Sequence, residues 1–443
     1  MSDFLGARLL SRKSPREAAR PSAGPSPGNR QRTGSPVPSL SSLRALDWFV
    51  FFLADVQTGF GAFVSVYLTT QKWTQTDIGL VLTVGAFVGL VGQIPGGAIV
   101  DATRSARWVG AVAVAAVGIS AFALAVAPVF VVVFASRILQ AGASCVLGPA
   151  IVAISLGLVG HRRISARLGR NAAFASVGSG LAAAGMGACA YYISDRAAFI
   201  LVASMTVPAL FALFHIRTHE IDPTKAHGGV AKPEHRNAMA GLLSLFEIRP
   251  LMIFAGCIAL FQLANAAMLP LAASMMTLRS SQFATVLVAT SIVAPQLIVA
   301  LLAPWVGRKA EQWGRRPLLV LCFVALAIRG LLFAFLINPY LLMAAQLLDG
   351  VSGAALAVLV PLIIADVAGS TGHFNLAQGA VGCAVGVGAS ISTTLAGYVS
   401  DRFDSPTAFL MMAGFGLLGL TAAGLAMPET RPSASENDPS ARD

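Results

Sequence analysis

Twelve stretches of about 20 mostly apolar residues follow one another along this chain, separated by short polar breaks. They lie near 46–69, 78–99, 108–127, 129–157, 170–193, 197–216, 250–276, 283–306, 317–337, 340–366, 375–398 and 407–427. A helix needs about 20 such residues to cross roughly 30 Å of hydrocarbon. Inside lipid every backbone N–H and C=O must be bonded internally, which leaves only helices and closed barrels. Barrel strands alternate apolar with polar side chains, whereas these segments are apolar throughout. The chain therefore reads as an all-α polytopic membrane protein. With 56% hydrophobic and only 12% charged residues, it is also too apolar for a soluble domain.

Lys and Arg set the orientation. With the N-terminus inside, the inner breaks hold Arg104, Arg107, Arg162, Arg163, Arg167, Arg170, Arg217, Arg249, Arg308, Lys309, Arg315 and Arg316. The outer breaks hold only Lys72, Arg196, Arg279 and Arg402. This asymmetry follows the positive-inside rule and places both termini in the cytoplasm, in the inner (plasma) membrane of the cell. The net charge of +11 is then a consequence of topology, and no nucleic-acid partner is implied. Residues 1–44 are rich in Ser, Pro, Gly and Arg and read as a disordered basic tail. The segments 45–216 and 250–427 form two six-helix bundles, 217–249 links them in the cytoplasm, and 428–443 is a second disordered tail. All five cysteines fall inside spans, without metal-type pairing. All six histidines stand at or beyond cytoplasmic helix ends; His215 and His219 have an i, i+4 spacing but no third ligand. No metal or cofactor is expected.

The two halves repeat at an offset of about 210 residues. After span 2 stand Gly97, Asp101, Arg104 and Arg107; after span 8 stand Gly307, Glu311, Gly314, Arg315 and Arg316. Arg137 and Gln140 in span 4 answer Gln346 and Asp349 in span 10, and Asn171 opens span 5 as Asn375 opens span 11. The pattern Gly-x-x-x-acidic-x-x-Gly-Arg-Arg over 307–316 resembles the signature loop of the major facilitator superfamily. Arg137-x-x-Gln140 resembles the fourth-helix motif of its drug/proton antiporter branch. The resemblance covers about 46–427 and implies two bundles related by a pseudo-two-fold axis along the membrane normal, with a cavity between them and alternating access by rocking. It departs at Ala102 and Arg104, where the family usually has Arg and Gly, and Gly178, Gly180, Gly185 and Gly187 of span 5 lack the antiporters' Gly-Pro pair.

Polar groups inside the membrane point to function, because burying them without partners is costly. They are Asp55, Gln57, Arg137, Gln140, Gln262, Asn265, Arg329, Gln346, Asp349 and Gln378. In the superfamily helices 1, 4, 7 and 10 line the cavity, which makes Asp55, Gln57, Arg137, Gln140, Gln262, Asn265 and Asp349 the candidate transport and coupling residues. Arg329 and Asp349 lie at similar depth on consecutive helices and read as a structural pair or as a coupling pair. Asp55 is the candidate proton carrier, with Arg137 modulating it or held by it in a permanent ion pair. Asp101 and Glu311, where helices leave the bilayer, are candidate gates. No histidine lies in the membrane interior, which argues against an intramembrane enzyme, and no nucleotide-binding loop is present. The reading is a monomeric secondary transporter that uses protons to move a small organic solute, with export favoured. Uptake, siderophore-like traffic and a non-transporting sensor on the same fold are the alternatives.

Overall fold

The computed structural model describes residues 38–58, 64, 67, 68, 70–103, 105–222, 244–272, 284–371 and 373–431. Runs of apolar residues produce helices here because helix closes its own hydrogen bonds, and the chain follows that rule throughout. Its main helices are α1 (Leu40–Thr58), α2 (Gln75–Val91), α3 (Gln93–Ala102), α4 (Ala106–Val126), α5 (Phe130–Val159), α6 (Ile164–Tyr192) and α7 (Asp195–His215). They are followed by α8 (Arg249–Asn265), α9 (Ala284–Trp313), α10 (Arg316–Phe335), α11 (Pro339–Ala368), α12 (Phe374–Arg402) and α13 (Ser405–Thr421).

Among the described residues ten helical segments are long and apolar enough to cross a membrane, and α2 with α3 forms an eleventh that is bent by 47°. The exception is α1, whose 19 residues include Arg44, Asp47 and Asp55. Several helices outrun the apolar stretches that define them. α6 starts six residues before the expected span, and α9 continues seven residues past it. These extra turns carry Arg167 and Glu311, polar residues that an apolar count ends on but a helix tolerates.

The helices pair in the same way in both halves. In the first, α1 packs on α6 and α7, and α4 packs on α5 and α7; in the second, α8 packs on α12 and α13, and α10 packs on α11 and α13. Between the halves, α6 lies along α9 and α3 lies along α12. Outward faces are apolar, with Phe87, Val112, Phe211 and Leu301 more than half exposed, as a lipid solvent allows.

Two hydrophobic cores result. One consists of first-half residues alone, around Phe49, Leu53, Val117 and Phe199. The other surrounds Phe254, Phe323, Leu362 and Phe409, and it also takes in Val152, Leu156, Ile164, Leu168 and Ala172 from the first half.

Candidate functional site

At the face that carries the basic breaks, the halves touch through glycines. A Cβ on Gly97 would strike the backbone of Asn375, and one on Gly307 would strike that of Ser165. Likewise Gly169 lies on the backbone of Ala303 and Gly379 on that of Gln93. Each pair of contacts repeats at an offset of 210 residues. The structure thus matches Ser165, not Asn171, with Asn375; Asn171 is six residues further into α6.

The carboxylates four residues after the first glycine of each loop complete these seams. Asp101 accepts hydrogen bonds from the Asn375 side chain (2.7 Å) and from the backbone N–H groups of Asn375 (3.3 Å) and Leu376 (2.8 Å). It therefore caps the first turn of α12 across the interface, where unsatisfied N–H groups and the helix dipole favour an anion. Glu311 accepts from the Ser165 hydroxyl at the start of α6, and Arg315 lies 3.5 Å away. Of the expected ion-pair gates, Asp101 thus meets a helix N-terminus, and Glu311 meets a hydroxyl with a cation behind it. Arg104 lies outside the described residues.

Behind the second seam is a dense polar cluster. Arg315 is buried and pairs with Asp366 at 2.9 Å, each side chain 3% exposed. Its Nη1 donates to the Ala310 carbonyl, and its backbone N–H donates to Glu429. Gly314 turns the chain at φ +95°, a conformation suited to glycine, with Glu429 against it. Arg316 donates to the Gly424 carbonyl at the end of the twelfth span. In the first half Arg107 does the same to Phe214 and Ile216. Both cations sit where helix C-termini favour positive charge.

Two clusters lie deeper. In the first half Arg137 donates to Gln140 (2.9 Å), which donates to Ser144 (3.0 Å). The three line a polar cavity of about 270 Å³ with Gly85, Gly89 and Gln93. A Cβ on Gly85 would meet the guanidinium at 2.8 Å, so α2 is kept bare where the arginine lies against it. In the second half Arg329, 1% exposed, donates to Asp349 and Asn265 and lies 3.2 Å from the Met268 sulfur. Gln346 donates to the other Asp349 oxygen at 3.3 Å. The expected meeting of Arg329 with Asp349 occurs, and Asn265 belongs to the same cluster. Gln262 packs against Gly388 of α12, and Gln57 is half-buried on α1. Asp55 is a residue of α1 whose side chain lies outside the described residues.

Sequence reasoning missed a third cluster. Asp47, buried on α1, holds Arg167 at 2.6 Å and Arg170 at 2.7 Å; Arg167 also donates to Asn171, and Asn171 to Ser155. The signal was present as an acid in α1 that is followed by an apolar run as far as Ala54. It missed Glu220 as well, which accepts from the Ser39 backbone (2.9 Å) and hydroxyl (3.0 Å) at the start of α1. Burial opposes ionisation of Glu220, but these hydrogen bonds, one from Ser42 and the charge of Arg217 together hold its carboxyl below the usual range. Among the described residues no three His, Cys, Asp or Glu side chains gather as a metal site.

Two six-helix halves that repeat helix for helix, meet at one face through paired contacts and carry charge at mid-membrane define a solute transporter of the two-bundle type. The chain belongs to the major facilitator superfamily: the family's model matches residues 47–294 and again 255–442. Two MFS-type transporters of Mycobacterium tuberculosis, from strains CDC 1551 and H37Rv, are each 37% identical over 392 residues, covering 87% of this chain and 93% of theirs. Class B tetracycline resistance protein of Escherichia coli is 30% identical over 105 residues, 24% of this chain and 26% of its own. Among solved structures, the transporter FucP in its outward conformation superimposes with a TM-score of 0.70 at 15% identity, over 87% of this chain and 98% of its own. The human organic anion transporter MFSD10 gives 0.64 at 13%, over 86% and 98%.

Proposed function

We propose that the protein is a proton-coupled secondary transporter that moves a small organic solute out of the cell by alternating access. It acts as a monomer in the inner (plasma) membrane with both termini cytoplasmic. The observation that carries this reading is the pair of seams at the basic face. Each consists of a few polar contacts and close-packed glycines, and the two are related by the same 210-residue repeat, so both can open in one rocking motion. Rocking about the mid-membrane clusters then alternates access.

Export is supported by the partial likeness to the tetracycline resistance protein and by the Arg137-x-x-Gln140 motif beside the polar cavity. For the proton we assign Asp55, 210 residues before Asn265. In the second half Asn265 accepts from the buried Arg329, so the repeat matches Asp55 with a residue of a mid-membrane polar cluster. A change in its distance to Arg137 during rocking switches Asp55 between holding and releasing a proton.

The test is reconstitution in proteoliposomes with an imposed pH gradient, using a solute found by screening an overexpressing strain for resistance to toxic compounds. Asp55→Asn should abolish gradient-driven accumulation and keep solute exchange. A folded Asp55→Asn protein with normal gradient-driven transport overturns the coupling assignment. Net movement toward the cytoplasmic face under the physiological gradient reverses the direction. A reporter fused after residue 230 should read cytoplasmic, and a periplasmic signal there would overturn the orientation.

A further inference from the structure

The second span is broken, and the eighth is not. α2 ends at Val91, α3 begins at Gln93, and the two axes diverge by 47°. The counterpart of the pair, α9, runs unbroken from Ala284 to Trp313 although it contains Pro295 and Pro304. Pro95 explains part of the bend, since it has no N–H to offer Val91 and its ring crowds that carbonyl. A proline alone does not suffice, because Pro304 sits one position from the equivalent site in a continuous helix.

Two further differences are a glycine and sulfur. Across the break the backbone bonds from Gly92 to Val88 and from Gly96 to Gly92 persist at 2.8 Å. Between them the Leu90 carbonyl accepts from the Cys383 thiol at 3.3 Å, and the Cys145 thiol, whose one proton is shared with the Ala141 carbonyl at 3.2 Å, lies 3.3 Å from the Gly89 carbonyl. Cys383 therefore reaches the carbonyl just before the break, and it does so from α12, in the opposite half. The neighbouring Gly379, Gly382 and Gly386 of α12 bring it close, since a Cβ on any of them would collide with Gln93 or Leu90. At an offset of 210 residues Cys383 corresponds to Ala173 and Cys145 to Ala355, and Gly92 corresponds to Leu302. Both thiols occur only where the helix is broken.

We infer that the break at Gly92 is a hinge held bent by Cys383 from the opposite half, and that α2 and α3 straighten into one helix when the halves part at the basic face. With α12 withdrawn, the Leu90 carbonyl loses its thiol donor inside a membrane, and the helical N–H of Ile94 is the donor left to it.

The test is a distance between spin labels on genetically encoded non-canonical residues at Leu80 and Ala102, both exposed, with the native cysteines kept. At 1.5 Å per residue this pair is about 33 Å apart in a straight helix and about 30 Å apart at the observed bend. A second pair at Arg163 and Arg308, one in each half, reports opening. Wild type should be centred near the shorter value. Asp101→Ala, which removes one seam carboxylate, should lengthen both distances. Cys383→Ala should shift part of the population toward about 33 Å with the second pair unchanged, and Cys383→Ser, which retains a donor for Leu90, should behave as wild type. A Cys383→Ala distribution that superimposes on wild type overturns the proposal, as does an opened 163–308 pair with an unchanged 80–102 distance.

Discussion

The two mid-membrane arginines occupy opposite halves of one repeated plan, and they are handled in opposite ways. Arg329 is enclosed by a carboxylate, an amide and a thioether, with the Phe333 ring 6.0 Å from its guanidinium. Arg137 lines a polar cavity with a glutamine and a serine. A charge packed in on all sides is part of the scaffold, whereas one that also borders open volume has room to move during a cycle. The contrast separates the structural from the working charge more clearly than sequence depth does, since both residues lie well inside apolar segments.

The largest test of this contrast is Asp349→Ala. It strands Arg329 in the bundle and should cost about 3–5 kcal/mol in thermal unfolding, as buried pairs do when one partner is removed. The double variant Arg329→Met with Asp349→Leu should recover most of that loss. Second, Arg137→Gln should change unfolding by less than about 1 kcal/mol yet reduce gradient-driven transport by at least about tenfold, a barrier change of about 1.4 kcal/mol. Equal unfolding of Arg137→Gln and Asp349→Ala would erase the distinction.

The seams differ in the same spirit. Asp101 holds two backbone N–H groups of α12, and charge-assisted bonds of that kind are worth about 1.5–3 kcal/mol. Asp101→Asn should therefore shift the open population at the basic face by about tenfold or more, read by inter-half spin-label distances. Glu311 is 43% exposed, so screening limits its contribution, and Glu311→Gln should shift the same population only a few-fold. The reverse ranking would sink the assignment of α12 capping as the stronger latch.

The smallest effect concerns Glu220. Its carboxyl is held below the usual range in the folded protein, so its stabilisation of the α1 start is present above about pH 4.5 and is lost as pH falls through the depressed value. Glu220→Gln at neutral pH should reproduce that loss, about 1 kcal/mol by analogy with other caps, and should flatten the acid limb of the stability curve. An unchanged acid limb would mean that other carboxylates set it.

Much of this architecture is legible in the sequence. Apolar length alone locates the helices, because lipid leaves the backbone no other way to close its bonds. The repeat marks Asp101 and Glu311 as equivalent, since a glycine and an acid at fixed spacing survive as a pattern in sequence. What they touch is not legible. Ser165 and the α12 backbone are ordinary residues that gain their role by proximity across the interface. The Asp47–Arg167–Arg170 cluster is hidden for a related reason: both arginines fit the topological bias so well that no further role is needed to explain them. The 210-residue register also outperforms composition at one point, where it pairs Ser165 with Asn375 although Asn171 looks the better chemical match.

The unequal sharing of the two cores bears on how the protein is made. Among the described residues the buried side chains of the first-half core end at Ile216, so that core can be completed while the ribosome is still adding the rest of the chain. The second core is different: it incorporates Val152, Leu156, Ile164, Leu168 and Ala172, all synthesised earlier. The first bundle thus offers a finished apolar wall on which the second assembles as its helices emerge. Order of synthesis and order of packing coincide. A permuted gene that encoded residues 249–431 first would present the translocon with a bundle that has no wall to build on.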